Sequence, residues 1–289
     1  MANEETKPDA GQETKPDAGQ ETQPETGRET KPDAEKAATP VLVLVHGAGM
    51  DHTVWLLLAR YFARRGYNLV VPDLPGHGRS GGTPIDNIEG MANWLRELLE
   101  HLETEHGLAR EKVILGGHSM GALVALEAAG QQPAALHQLL LFGACYPMPV
   151  GEPLLEAARA DPQAAVDMIT LFGHAYRSLL GHNPVAGVSL QNVARVLLGR
   201  AAPGVIHNDL AACNAYGGGE EAARNWQPGH STVIAGDSDR MTPLRGCRAL
   251  AELLDAEAFE VMAASGHMMM GEQPEDTLGA VKRALAAAG

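Results

Sequence analysis

Short apolar runs that alternate with longer stretches of helical period constrain this chain more than any other feature. Residues 41–45 (VLVLV) are a continuous β-branched and Leu run, which suits a strand covered on both faces rather than one. A helix is expected over 54–65, stopped at Gly66, and then a strand over 68–71 ending at Pro72. A turn-rich stretch, DLPGHGRSGGTP, fills 73–84. In 86–106, Met91, Trp94, Leu95, Leu98, Leu99 and Leu102 recur at helical spacing. Further strands are expected at 112–116, 139–144, 232–235 and 258–262, with helices at 119–129, 243–254 and 274–287. Strands separated by helices imply βαβ units and an α/β fold, with a mostly parallel, doubly wound sheet. The alternation breaks over 146–228, an Ala- and Leu-rich stretch that reads as several short helices. That segment is expected to be a helical cap inserted into a core formed by 39–145 and 229–289.

The first residues have a different character. ETKPDAGQ (5–12) repeats at 13–20, and variants follow at 21–28 (ETQPETGR) and 29–36 (ETKPDAEK). Each unit carries a Pro and almost no bulky apolar side chain, too little to offset the entropy of ordering. Residues 1–38 are therefore expected to be a disordered, polyproline-leaning tail, with docking or tethering as the functional alternative.

Charge and cysteine usage narrow the class. The formal net charge is −14, and both the tail and the remainder are acidic, which argues against nucleic acid or an anionic membrane as partner. No run approaches the length of a membrane span, and no apolar leader is visible. Cys145, Cys213 and Cys247 are an odd, irregularly spaced set, which reads as reduced thiols in a cytoplasmic protein. A small-molecule substrate is the expected partner.

The densest chemical signal is VILGGHSMGALVAL (113–126), which contains Gly117-His118-Ser119-Met120-Gly121 between a strand and a helix. Small residues on both sides of the serine permit a sharp strand-to-helix turn that lifts its hydroxyl clear of the sheet. The same turn puts the serine at a helix N-terminus, where backbone N–H groups favour negative charge. The bland alternative is a Ser N-cap on a Gly-rich helix. A second signal is VLVLVHGAG (41–49), a buried strand running into His-Gly-x-Gly. The backbone N–H groups of Ala48 and Met120 are the candidate oxyanion donors, and His46 is read as structural.

A serine hydroxyl needs a base within reach. Of twelve histidines, His267 stands out, because it follows a strand and the loop Ala-Ser-Gly and precedes the last helix. The acid that orients it is sought in VIAGDSDRMTP (233–243), where Asp239, at the far end of the loop, is preferred and Asp237 is the alternative. The loop after the 139–144 strand, Cys145-Tyr146-Pro147, offers no carboxylate. Met50, His118 and Met268 are candidate pocket residues. The methionines, Met269 and Met270 included, read equally well as core.

HGAGMDHTVW, DLPGHGRS, GHSMG, GDSDRMTP and SGHMMMGEQPE together resemble successive motifs of the α/β-hydrolase superfamily, in the right order, over roughly 40–289. The resemblance implies an eight-stranded sheet, a catalytic triad of Ser119, Asp239 and His267, and a helical cap. One departure is that the edge hairpin usual before the His-Gly strand is missing, which shortens the expected sheet to six strands or slightly more. The triad reads as that of a carboxylesterase-like enzyme working through an acyl-enzyme, and an apolar, methionine-lined site without a basic cluster favours a small, largely apolar ester. C–C bond hydrolysis, thioester cleavage or hydroxynitrile-lyase chemistry would use the same triad, and a ligand receptor on this scaffold is the non-enzymatic alternative. No cofactor or metal is expected, since HND (207–209) and the scattered histidines lack a ligand constellation such as HExxH.

Overall fold

The computed structural model describes residues 40–108, 113–131, 136–182, 186–226 and 230–287. The octapeptide repeats lie outside the described residues. Among those described, six strands form one sheet: β1 (Val41–Val45), β2 (Asn68–Val70), β3 (Val113–His118), β4 (Gln138–Phe142), β5 (His230–Gly236) and β6 (Ala258–Met262). Their order is β2-β1-β3-β4-β5-β6, and every pairing is parallel. The described sheet starts directly at the strand before His46, with no edge hairpin ahead of it.

Alternate residues of β1 explain why its sequence is apolar throughout. Val41, Val43 and Val45 join one core cluster, while Leu42 and Leu44 join another on the opposite face. The second face is covered by α1 (Leu56–Ala63), which follows a 3-10 turn at His52–Trp55, and by the C-terminal helix described below; there Trp55 meets Phe142 edge-on at 5.1 Å. The first face is covered by α2 (Ile88–His106) and α3 (Met120–Gln131). The N-cap of α2 is Asn87, whose side chain accepts from Gly90 N–H, and left-handed Gly107 closes its last turn.

Six described helices lie between β4 and β5: α4 (Glu152–Ala160), α5 (Pro162–Phe172), α6 (Tyr176–Leu179), α7 (Leu190–Leu198), α8 (Val205–Ala215) and α9 (Gly219–Trp226). The last of them departs from a simple cap. Residue 222 of α9 lies so close to Gly130 of α3 that a β-carbon on Gly130 would come within 2.4 Å of Ala222 Cα, so α9 belongs to the helical layer on the sheet. The chain then completes the sheet through α10 (Leu244–Leu253), a single turn α11 (Met269–Glu272) and α12 (Pro274–Ala287).

β1 sends the chain outward to β2 on one side, and β3 returns on the other, so the chain reverses its direction of winding between β1 and β3. Loops at the carboxyl ends of two such strands diverge and leave a crevice, the usual ligand position in an open α/β sheet. Residues 46–50 follow β1 there, and Ser119 follows β3.

Candidate active site

Ser119 stands alone between the end of β3 and the start of α3, with φ +54. A left-handed serine costs of the order of 1–2 kcal/mol and persists only where its surroundings hold it. Here its N–H donates to Phe142 O at 2.9 Å, and its carbonyl accepts from Ala122 N–H at 2.9 Å. The flanking glycines are a steric requirement. A β-carbon at Gly117 would lie 2.0 Å from Gly121 O, and one at Gly121 would lie 2.4 Å from the carbonyl oxygens of Val45 and His46. Met120 is the first residue of α3, so its N–H has no acceptor within the helix.

The His-Gly loop turns sharply, with Met50 N–H donating to Gly47 O at 3.2 Å and Gly49 left-handed at φ +68. Ala48 occupies the centre of that turn. It shares with Ser119 a cavity of about 360 Å³. His46 is buried and structural: its Nε2 accepts from Leu74 N–H at 3.1 Å, and burial followed by the nearby His77 lowers its pKa to about 4.

Asp239 and His267 meet at 2.8 Å, Oδ2 to Nδ1, with both side chains buried. The carboxylate is fixed by Met241 N–H at 2.8 Å, Thr242 N–H at 2.9 Å and the Thr242 hydroxyl at 2.6 Å. Burial works to raise its pKa, but the charge and hydrogen bond of His267 and the Thr242 bonds outweigh that and hold it below the ordinary aspartate value. Asp237, the other acid of this loop, instead accepts from Ala264 N–H at 3.0 Å and from Ser238 Oγ at 2.7 Å.

With Nδ1 committed to Asp239, the His267 ring presents Nε2 as its free nitrogen, and no described group hydrogen-bonds it. The ring lies over Gly143, where a β-carbon would approach Nδ1 to 3.1 Å, next to the Phe142 carbonyl that holds Ser119. Ser119 Oγ and His267 form no hydrogen bond among the described residues; contacts of this kind often tighten only around substrate. His118 supports His267 from below. It donates from Nε2 to His267 O at 2.9 Å, and the ring centroids are 4.6 Å apart. Burial, reinforced by His267, lowers its pKa to about 3, so it is neutral.

Several residues that the motifs did not single out complete the frame. Glu272 is buried and accepts from Gly266 N–H at 2.8 Å, Ala175 N–H at 2.9 Å and Ser178 Oγ at 2.6 Å, which ties the His267 loop to the insertion. Arg240 reaches the carbonyls of Leu171 and His174, a second tie from the acid loop to the insertion. Thr242 and Glu272 were visible only as T-P and E-x-P next to the chosen acid and base.

The pocket differs from expectation. Met50, His118 and Met268 do not line the Ser119 cavity. Met50 borders a separate cavity of about 180 Å³, Met268 borders a groove of about 680 Å³ against α7, and His118 lies beneath His267. Met148, Met168 and Met241 line the Ser119 cavity instead, with Leu154, Phe172 and Leu210. Most of these come from the insertion, whose approach to Ser119 is a tertiary event with no local sequence mark. Met269 and Met270 are core residues on the far face. Asp51, His52 and Asp73 are close enough to share a metal ion, but Asp73 already accepts from His52 N–H at 2.6 Å and Arg79 N–H at 2.9 Å, and Asp51 caps Thr53 N–H at 2.8 Å.

A left-handed serine after β3 at the switch point of a parallel sheet, with an Asp–His pair on the loops after β5 and β6, is an arrangement of the α/β-hydrolase type. The chain belongs to the alpha/beta hydrolase family, whose model matches residues 42–280. It is 30% identical over 254 residues to the pimeloyl-[acyl-carrier protein] methyl ester esterase of Aromatoleum aromaticum, covering 82% of this chain and 94% of that one. Its fold is similar to a thermophilic esterase from Thermogutta terrifontis (TM-score 0.72, 23% identity, 86% and 90% of the two chains). It is also similar to a bromoperoxidase from Bacillus anthracis (TM-score 0.74, 18% identity, 86% and 92%).

Proposed function

We propose that the protein is a serine esterase acting on small esters with an apolar acyl group. The observation that carries this is the strained Ser119 sharing one mostly apolar cavity with Ala48 and Thr242, beside the buried Asp239–His267 pair. In the proposed reaction Ser119 Oγ attacks the ester carbonyl while its proton passes to His267 Nε2. Asp239 stabilises the imidazolium that forms and holds the ring in the tautomer the step needs. The tetrahedral oxyanion is bound by the N–H groups of Ala48 and Met120. Collapse breaks the bond to the alcohol, which leaves with the proton from His267. Water, deprotonated by His267, then releases the acid and restores Ser119.

The 30% identical methyl ester esterase supports ester cleavage over other reactions of the fold. No described helix is long and apolar enough to cross a membrane. The three cysteines are free and buried, which supports a reducing, cytoplasmic setting. The test is hydrolysis of p-nitrophenyl esters with acyl chains from about two to twelve carbons by wild type and Ser119→Ala, in a cavity of about 360 Å³ that favours the shorter chains. Activity that is lost in the variant supports the reading, and equal activity in both proteins refutes it.

A further inference from the structure

A second buried Asp–His pair lies outside the machinery described so far. Asp209, on insertion helix α8, is fully buried, and one oxygen, Oδ2, accepts from both Gly49 N–H at 2.8 Å and His77 Nε2 at 2.8 Å. The other ring nitrogen of His77, Nδ1, donates to Pro75 O at 3.0 Å. A histidine whose two nitrogens both face acceptors carries a proton on each, so the pair is an imidazolium bonded to a carboxylate. His46 packs on the His77 ring at 4.9 Å, and its own pKa of about 4 keeps it neutral, so it adds no competing charge. Burial alone would lower the His77 pKa, yet the bonds and charge of Asp209 raise it.

We propose that Asp209, braced by His77, is the positioning residue of the oxyanion loop. The bond from Gly49 N–H fixes the peptide plane directly after Ala48, and the Met50 N–H bond to Gly47 O holds the plane before it, which carries the Ala48 N–H; with both planes held, the direction of that N–H is set. Without it, a buried N–H would have no acceptor, and the 47–50 turn would rotate to find one. The same helix presses on the turn from above: Ile206 Cγ1 lies 2.7 Å from where a β-carbon on Gly49 would sit. It also forms the substrate wall, since Leu210 and Cys213, the residues one and four positions on, line the Ser119 cavity. One helix therefore sets both the shape of the acyl site and the aim of an oxyanion donor. Asp209 does not touch the reacting atoms, and the inference rests on the serine-esterase reading above.

The experiment measures kcat and KM on the preferred p-nitrophenyl ester, and the inhibition constant of a trifluoromethyl ketone with the matching acyl chain, for wild type, Asp209→Ala and Asp209→Asn. The ketone forms a hemiketal with Ser119 whose oxyanion occupies the same donors. Asp209→Ala is expected to lower kcat roughly 10- to 100-fold with KM changed less than about threefold, and to weaken the ketone by the same factor as kcat. Asp209→Asn keeps an oxygen for Gly49 and is expected to stay within about fivefold of wild type on both measures. Should the alanine variant fail to fold, Asp209→Ser, whose hydroxyl is too short to reach Gly49, takes its place in the same comparison. An unchanged kcat in a folded Asp209→Ala, or a fall in kcat with the ketone affinity untouched, overturns the inference. A wild type that neither hydrolyses the esters nor binds the ketone overturns the esterase reading itself, and the inference with it.

Discussion

Asp239–His267 and Asp209–His77 are the same two residue types at the same 2.8 Å separation, and both pairs are buried. They differ in what the second nitrogen of the ring meets. His267 keeps Nε2 clear of any described partner, so under the proposed mechanism it is the nitrogen that takes a proton and returns it. His77 spends its second nitrogen on Pro75 O, so its protons are fixed in place and the pair acts as a brace. The Asp–His contact is therefore no sign of a base until the far side of the imidazole has been accounted for. The two carboxylates also answer to different parts of the chain, since Asp239 is held by its own loop through Met241 and Thr242 whereas Asp209 reaches from the insertion to the first loop of the core.

The largest expected effect comes from the first pair. His267→Gln should lower kcat on a p-nitrophenyl ester by about 10⁴-fold or more, a loss seen in steady-state kinetics. His77→Gln is expected to cost far less activity, and an equal loss in both would erase the distinction. The second pair should instead dominate stability. Removing one member of a buried ion pair strands the other, so Asp209→Ala should cost about 3–5 kcal/mol in denaturant unfolding. By contrast, Asp239→Asn leaves its hydrogen-bonding frame mostly intact and should cost less.

The two pairs should also respond to opposite ends of the pH scale. The His77 pKa is raised in the folded protein, so its contribution is full below the ordinary value of 6.5 and is lost as pH climbs through the raised value. The Asp239 pKa is lowered, so its contribution is present above the ordinary value of 3.8 and is lost as pH falls below it. Unfolding free energy measured against pH should therefore show the penalty of His77→Gln shrinking on the alkaline side. A penalty that is flat from pH 5 to pH 9 would contradict a charged His77.

The smallest effects test the frame of Asp239. Thr242→Val removes a hydroxyl bond of 2.6 Å, worth about 1–1.5 kcal/mol, and should lower kcat roughly tenfold, with Thr242→Ser restoring it. Asp237→Asn touches an exposed loop carboxylate and should leave kcat within about twofold.

The first of these pairs was legible in the sequence and the second was not. β1, buried on both faces, announces itself as an apolar run and keeps the bounds read from the sequence, and the half-exposed edge strand β6 keeps them too. β3 runs on two residues to His118, because the Gly-Gly-His segment still pairs with β4, where His118 faces Phe142. Asp239 and His267 each follow a strand, and local context was enough to pick them. Asp209 and His77 are 132 positions apart and meet only because α8 folds back over the 46–50 turn. HND and D-L-P-G-H-G carried no hint of each other, because nothing local to either records that contact. The pocket methionines failed for the same reason: Met148 and Met168 arrive with the insertion, while Met268, next to the base in sequence, faces α7.

The most direct test of the division of labour between the two pairs is labelling with a fluorophosphonate, followed by mass spectrometry of the peptides. Stoichiometric adduct on Ser119 in wild type, almost none in His267→Gln, and slower but complete labelling in Asp209→Ala is the predicted result. An adduct on another residue, or equal labelling of Ser119 with and without His267, would contradict the account.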